Sequence, residues 1–264
     1  MNELLTERSG NILRVQFNRP AKKNAMTLAM YSGLADLLNE ADKDENVNVV
    51  LLHGAGDCFT AGNDLEDFMK NPPGPGESPQ TRLINVLVAF SKPLVAAVHD
   101  LAIGGGTTIL THCDLVYAAE GTKFQVPFIN LALVPEFGSS YSLPRQIGYL
   151  QAAELLMLGE PFSAARASEF GLITAVVPGP ELMTRATDTA QKLARKPATA
   201  LRACKDLLKR PERERLEQSV VREMQEFAVR VRSADAKEAI SAFFEKCAPD
   251  FTRSKAGQPA LQAS

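Results

Sequence analysis

Two glycine-containing turns constrain the fold of this chain more than any other feature of its sequence. They span residues 58–65 and 102–106, and each follows an apolar run and precedes a short helical pattern. Because both turns carry little side-chain bulk, each can bring a backbone N–H group close to a common point. Two such donors, aimed at one position in a dry site, can stabilise negative charge that develops on an oxygen atom. The turns therefore predict an anion-stabilising site between two strand-to-helix connections.

Strand and helix patterns alternate through the first two thirds of the chain. The continuous apolar run 47–52 is typical of a strand buried on both faces, and runs at 94–98 and 115–118 repeat it. Helical patterns separate these strands, the first beginning after Thr27 and the second spanning 104–111. This alternation predicts an α/β fold with right-handed βαβ crossovers, preceded by a hairpin of the first two strands.

The pattern also predicts how the chain is divided. Residues 1–180 hold the alternating strands and helices, and residues 181–255 form a wholly helical region that predicts a C-terminal subdomain. A break in that region is expected at Pro211, because proline lacks the N–H that a helix interior requires. The proline- and glycine-rich segment 71–77 predicts a mobile loop beside the first glycine turn, and residues 256–264 predict a frayed tail.

Composition and charge exclude several classes of function. The net charge of −2 gives no electrostatic basis for binding nucleic acid or a membrane surface. No apolar run approaches the roughly 20 residues of a membrane-spanning helix, and the first residues show no targeting signal. The four cysteines lie far apart and form no CxxC pair, which predicts reduced thiols in a cytoplasmic protein and no metal site.

Two familiar site motifs are only partly present. The segment 54–56 follows a strand as a dinucleotide-binding turn does, but Phe59 occupies the position of the required third glycine. The adjacent serines 139–140 lack the G-x-S-x-G turn of a nucleophilic serine, and the three histidines are scattered along the chain. We therefore expect neither a nucleotide cofactor nor a nucleophilic triad.

The two glycine turns and their flanking residues resemble the enoyl-CoA hydratase/isomerase (crotonase) superfamily, and the resemblance extends over residues 17–246. It implies a crotonase-like spiral core of (ββα) repeats and a C-terminal helical trimerisation subdomain, whose helices pack between subunits in trimers or dimers of trimers. The substrate would be an acyl-CoA thioester, so that no separate cofactor is needed. The oxyanion-binding donors would be the backbone N–H groups of Asn63 and Gly105.

The resemblance also implies a set of residues around the CoA moiety and the thioester. Two lysines lie where the superfamily carries positive charge for the CoA phosphates, although a solvated basic loop explains them equally well. Asp64 is explained more simply as the N-cap of a helix. The residues that the resemblance places around the substrate are Lys22, Lys23, Ala25, Ala61, Gly62, Asp64, Leu65, Gly104 and Phe128.

The positions of the carboxylates distinguish between the reactions of the superfamily. Hydratases hold a water molecule with two glutamates, but this chain has Thr108 and Phe128 at the matching positions. It carries Glu136 instead, in the segment 133–141, which resembles the Δ3,Δ2-enoyl-CoA isomerase branch. One general base is sufficient to move a proton from C2 to C4 of a 3-enoyl thioester. Apolar neighbours such as Phe137 are expected to raise the pKa of this carboxyl group by desolvation.

The sequence thus predicts an isomerase that moves a 3-enoyl double bond into conjugation in the β-oxidation of unsaturated fatty acids, with Glu136 as its base. Two alternatives remain open. One is a hydratase or another enolate-forming enzyme of the same fold that uses a different base. The other, from a different class, is a non-catalytic homologue that only binds acyl-CoA.

Overall fold

The computed structural model of the protein describes residues 3–71 and 78–252. The predicted tail at 256–264 lies outside the described residues. So does the predicted loop at 71–77, apart from its first residue. Within the described ranges the chain is an α/β protein with a C-terminal helical region, as the sequence predicts.

Nine strands lie in the described part of the chain, and most are short. They are β1 (Leu4–Ser9), β2 (Ile12–Phe17), β3 (Val49–Gly54), β4 (Leu94–Val98), β5 (Leu101–Ile103), β6 (Leu115–Ala119), β7 (Lys123–Gln125), β8 (Phe162–Ser163) and β9 (Ala175–Val177).

Ten α-helices accompany these strands, and short 3-10 turns extend several connections. The helices are α1 (Leu28–Lys43), α2 (Leu65–Lys70), α3 (Pro79–Ala89), α4 (Gly105–Thr108), α5 (Ser139–Ile147), α6 (Tyr149–Leu158), α7 (Ala164–Glu169), α8 (Leu182–Ala194), α9 (Ala198–Arg230) and α10 (Ala234–Glu245).

The described strands form a six-stranded sheet and a three-stranded sheet. The larger has the order β1-β2-β3-β4-β6-β9, with β1 and β2 antiparallel and every other neighbouring pair parallel. The predicted hairpin is therefore confirmed. The smaller sheet has the order β5-β7-β8 and lies at the carboxyl side of β4, because β5 follows β4 after two residues. This arrangement brings the second glycine turn to the carboxyl edge of the larger sheet, where the first glycine turn follows β3.

The central strands are buried on both faces, as their continuous apolar runs predict. Side chains alternate along a strand, so Val50 and Leu52 join one core, whereas Val49 and Leu51 join a second core on the opposite face. Helix α1 contributes to the first core, and α8 covers the second by packing on β3, β4 and β6. The domain boundary near residue 180 stays a prediction, and α8 packs directly on the sheet of the core.

Local signals fix most helix ends but not the course of α9. Thr27 is the N-cap of α1, since its side chain accepts a hydrogen bond from the N–H of Met30. The predicted break at Pro211 is wrong, because α9 runs without interruption from Ala198 to Arg230. Proline removes one N–H donor, and the packing of α9 against α3 and α5 holds the turns on either side in line. In the described ranges, no helix combines the length and apolarity that crossing a membrane requires.

Candidate active site

The two glycine turns meet at β5. Thr60 and Ala102 form a parallel bridge, and the N–H of Ile103 donates to the carbonyl of Thr60 at 3.1 Å. The contact requires glycine at Gly62, because a Cβ atom there would lie 2.4 Å from the carbonyl oxygen of Ile103. A Cβ atom on Gly106 would lie 2.6 Å from a side-chain carbon of Thr60. Close backbone approach therefore explains why both turns are rich in glycine.

The approach leaves two backbone donors available. The N–H groups of Asn63 and Gly105 donate no hydrogen bond to another group within the described residues. Gly105 is the first residue of α4, where the N–H has no partner inside the helix and the helix dipole is positive. Both residues line the same cavity. The arrangement can therefore receive an oxygen atom that gains negative charge.

This cavity has a volume of about 290 Å³ and a mostly apolar wall that includes Leu131, Leu133 and Phe227. Two aromatic side chains of α10, Phe243 and Phe244, also line it. The predicted site residues that line it are Lys22, Ala25, Ala61, Asn63, Asp64, Leu65, Gly104, Gly105 and Phe128. Three predicted site residues, Lys23, Gly62 and Glu136, lie outside its wall.

The two predicted CoA-binding lysines have different surroundings. Lys22 lies on the cavity wall with its side chain largely exposed and its Nζ 3.6 Å from a carboxylate oxygen of Glu66. Lys23 instead pairs with Asp57, and this hydrogen bond raises the pKa of the lysine. Of the two, only Lys22 is placed to meet a ligand in the cavity.

Glu136 lies next to Gly105 and the side chain of Asn63, and it is only 3% exposed. Its Oε1 is 3.0 Å from the point where a Cβ atom on Gly105 would lie, so glycine at this position leaves room for the carboxylate. The side-chain amide of Asn63 donates to the same oxygen at 3.4 Å. Burial and the charge of Glu223 raise the pKa of Glu136 to about 8, and the Asn63 hydrogen bond opposes them.

A tyrosine that the sequence analysis did not identify completes this group. The hydroxyl of Tyr31 donates to the side-chain oxygen of Asn63 and so turns the amide nitrogen towards Glu136. Tyr31 is fully buried, and burial followed by the charge of Glu136 raises its pKa well above the usual value. The side chain belongs to the buried stripe of α1 together with Met30 and Leu34. A tyrosine in an otherwise apolar stripe was the available signal.

The turn that carries Glu136 is fixed by two further buried polar side chains. Nε2 of His112 lies 2.7 Å from the carbonyl oxygen of Phe137, and it must be the donor because a carbonyl only accepts. Burial, followed by the charge of Lys209, lowers the pKa of His112 to about 4, so the ring is neutral. Glu223 of α9 accepts the N–H groups that follow Phe137 in the turn. In sequence, Glu223 interrupts the apolar spacing of α9, and that was the signal for its burial.

Two other acidic side chains, one on the wall of this cavity and one away from it, have structural partners. Asp64 is the N-cap of α2 and pairs with Arg19 at 3.0 Å, so both explanations of this residue, N-cap and cavity wall, apply. Asp114 accepts the N–H of Leu94 and pairs with the buried Lys205. Across the described ranges there is no group of three or more His, Cys, Asp or Glu residues arranged to hold a metal ion.

The two positions at which a hydratase carries its glutamates are occupied differently here. Thr108 is fully buried, and its hydroxyl donates to the carbonyl of Gly104 at 3.3 Å. Phe128 is nearly buried and forms part of the apolar cavity wall. Neither side chain can remove a proton from water, because a threonine hydroxyl and a phenyl ring are not bases at neutral pH.

Comparisons with known proteins identify the family to which the chain is similar. The chain matches the sequence profile described as enoyl-CoA hydratase/isomerase over residues 7–254. It is 33% identical to the 2,3-dehydroadipyl-CoA hydratase of Escherichia coli (strain K12), with 95% of this chain and 99% of the relative covered. It is 35% identical to enoyl-CoA delta isomerase 2 of Rattus norvegicus, with 81% of this chain but only 56% of that longer relative covered.

The fold agrees as well. The solved structure of Pseudomonas aeruginosa OdaA superposes with a TM-score of 0.90 at 43% sequence identity, covering 92% of this chain and 99% of that one. The named relatives include both a hydratase and an isomerase, so the comparisons fix the kind of enzyme and leave its reaction to the site. The chain belongs to the enoyl-CoA hydratase/isomerase family of crotonase-fold enzymes.

Proposed function

We propose that this protein is a Δ3,Δ2-enoyl-CoA isomerase that acts on unsaturated acyl-CoA thioesters in fatty-acid β-oxidation. One observation carries the proposal. A single buried carboxylate, Glu136, lies beside the two free backbone donors, while the hydratase positions hold Thr108 and Phe128. The mixed names of the relatives keep a hydratase as the alternative.

The geometry supports a one-base mechanism. The thioester carbonyl oxygen would accept the N–H groups of Asn63 and Gly105, and the neighbouring C2 atom would then have to lie within reach of Glu136, which is next to Gly105. Glu136 would remove a proton from C2 of the 3-enoyl thioester, the electrons of the C2–H bond would form a C1=C2 double bond, and the carbonyl π electrons would move onto the oxygen atom, which leaves a dienolate conjugated with the C3=C4 bond. The two donors stabilise the resulting dienolate. Glu136 would then return the proton to C4, which forms the 2-enoyl product and restores the carboxylate.

The surroundings of Glu136 favour proton transfer over hydration. With a pKa of about 8, the carboxylate is a stronger base than a solvated glutamate. Phe128 and Leu133 give the cavity an apolar wall, which disfavours an ordered water molecule near the substrate double bond. The carboxylates that do line the cavity, Asp64 and Glu66, are paired with Arg19 and Lys22.

Assembly and location remain proposals. We expect a homotrimer or a dimer of trimers, as the family fold implies. Large apolar side chains exposed on α6, among them Tyr149, Leu150 and Met157, are consistent with burial between subunits. A cytoplasmic location stays a prediction from the sequence.

Parallel assays with two substrates test the proposed reaction. Purified protein is offered a 3-enoyl-CoA and a 2-enoyl-CoA thioester separately, and conjugation and hydration are both followed. The proposal predicts conjugation of the first substrate and poor hydration of the second. Efficient hydration would establish the hydratase alternative. CoA-ester binding without exchange of C2 protons in deuterated solvent would establish the non-catalytic alternative.

The two lysines provide a test of CoA recognition. Lys22→Ala should raise KM for the CoA ester by up to about fivefold, because one exposed ion pair with phosphate is worth up to about 1 kcal/mol. Lys23→Ala is the matched control, since Lys23 pairs with Asp57 outside the cavity, and it should leave KM unchanged. The effect of Lys22→Ala should shrink as salt is added. Equal effects of the two substitutions would remove Lys22 from the CoA site.

A further inference from the structure

The turn that carries Glu136 has an unfavourable backbone conformation. Phe137 has φ of +62° and Gly138 has φ of +68°, so two consecutive residues are left-handed. Glycine adopts this region freely, but a bulky residue such as Phe137 adopts it only at an energetic cost. Such a conformation persists only where the surroundings impose it. The groups that hold this turn therefore determine where the carboxylate of Glu136 lies.

Glu223 makes the most extensive contacts with the turn. One of its carboxylate oxygens accepts the N–H of Gly138 at 2.7 Å, and the other accepts the N–H of Ser140 at 2.8 Å. The residue is 6% exposed and lies in the last third of α9, eighty-five positions along the chain from Gly138. Burial raises the pKa of Glu223 to about 7, and the hydrogen bonds from Ser140 and Gly138 oppose this rise.

We propose that Glu223 is a positioning residue for Glu136. It holds the strained turn through two backbone N–H groups and places a second negative charge beside the base. The naming of Glu136 as the base rests on the proposed function, whereas the contacts of Glu223 do not. Helix α9 thereby takes part in the site without the carboxylate of Glu223 touching the substrate.

The other groups around Glu136 do not carry a comparable negative charge. Tyr31 faces it from α1 with its proton retained, and the side chain of Asn63 faces it from the first glycine turn. His112 holds the same turn from the 3-10 segment after α4, and it is neutral. Among the described residues, the charge that acts on Glu136 is that of Glu223, which raises the pKa of the base together with burial.

The test uses Glu223→Gln in the full chain, with Glu212→Gln as its matched control. Glu212 also lies on α9 and contacts α5 through Tyr141 and Arg145, but it makes no contact with the turn. The readout is the infrared band of the protonated Glu136 carboxyl group, identified by its loss in Glu136→Gln and followed against pH. This readout is independent of isomerase activity, so its failure is distinguishable from failure of the proposed function.

Glu223→Gln should move the midpoint of the Glu136 band to lower pH by about one pH unit or more, because a nearby like charge is removed. Hydrogen exchange at Gly138 and Ser140 should become faster, since glutamine keeps only one of the two carboxylate oxygens that accept these N–H groups. Glu212→Gln should change neither quantity. An unchanged midpoint, or an equal shift in the control, would overturn the proposal.

A second variant covers the case in which Glu223→Gln does not fold. Glu223→Asp keeps the charge but shortens the side chain by one methylene group, which withdraws it from the turn. We expect faster exchange at Gly138 and Ser140 while the midpoint of the Glu136 band stays close to the wild-type value. Exchange at the wild-type rate in Glu223→Asp would show that the two hydrogen bonds do not hold the turn.

Discussion

Two buried glutamates flank the same turn, and they differ in how their carboxylates are used. Glu223 engages both oxygens with backbone N–H groups at 2.7 and 2.8 Å, whereas Glu136 receives one side-chain N–H at 3.4 Å. Burial raises both pKa values, to about 7 and about 8. A carboxylate whose oxygens are occupied stabilises the backbone around it. One with unused acceptor capacity, next to a cavity, can take a proton from a bound molecule.

The largest expected effect of this difference between Glu136 and Glu223 is on turnover. Glu136→Gln keeps the size of the side chain but removes the base, so isomerase kcat should fall by about 10²–10⁴. Thioester binding should change little, because the donors of Asn63 and Gly105 remain. Steady-state kinetics together with a binding titration measure both quantities. Near-normal turnover in this variant would show that Glu136 is not the base.

The same substitution should increase stability, in a way that depends on pH. Between about pH 4.5 and 8 the folded protein retains a proton on Glu136 that the unfolded chain releases, so stability falls as pH rises through this window. Because glutamine does not ionise, the Glu136→Gln variant does not lose stability in this way as pH rises. The free energy of unfolding of Glu136→Gln should therefore exceed that of the wild type above pH 8, by at most about 5 kcal/mol, and by little near pH 4.5.

Glu223→Gln provides the contrast in the same unfolding experiment. It also removes a buried charge, but it leaves one backbone N–H of the turn without an acceptor, which costs about 1–3 kcal/mol. We expect denaturant unfolding at pH 8 to rank Glu136→Gln above Glu223→Gln. The reverse order would mean that the hydrogen bonds of Glu223 contribute little to stability.

The pH dependence of the wild-type enzyme sharpens the contrast further. Only ionised Glu136 can accept a proton from carbon, and at pH 7 a group with a pKa of about 8 is roughly one-tenth ionised. Isomerase kcat/KM should therefore rise about tenfold per pH unit below 8 and level off above it. Initial rates between pH 5.5 and 9.5 give the profile. A flat profile across this range would contradict the assignment of the raised pKa to the base.

The smallest expected effect is on kcat in a variant of Tyr31, which orients the side chain of Asn63 towards Glu136. Tyr31→Phe removes the hydroxyl that donates to Asn63, and kcat should fall by about threefold to tenfold, the equivalent of one ordinary hydrogen bond. Tyr117→Phe is the control, because Tyr117 is also a buried tyrosine and its hydroxyl accepts a hydrogen bond from Thr189. An equal loss in both variants would indicate a general packing effect.

The sequence predicted the elements whose signals are local. The buried strands β3 and β4 follow from their continuous apolar runs, and the start of α1 follows from Thr27. Pro211 is the exception, since a local rule predicted a break that packing of a 33-residue helix prevents. The motif around Glu136 singled out that residue, and the resemblance to the family supplied its expected role.

The tertiary structure alone decided what surrounds the base. Tyr31 is thirty-two positions from Asn63, and Glu223 is eighty-three positions from Ser140, so no local pattern connects them. It also separated Lys22 from Lys23, which are adjacent in sequence but face different partners. Apolar spacing specifies which residues are buried, because burial depends on periodicity along one element. The partner of a buried polar group depends on how distant elements pack, and that is set only when the whole chain has folded.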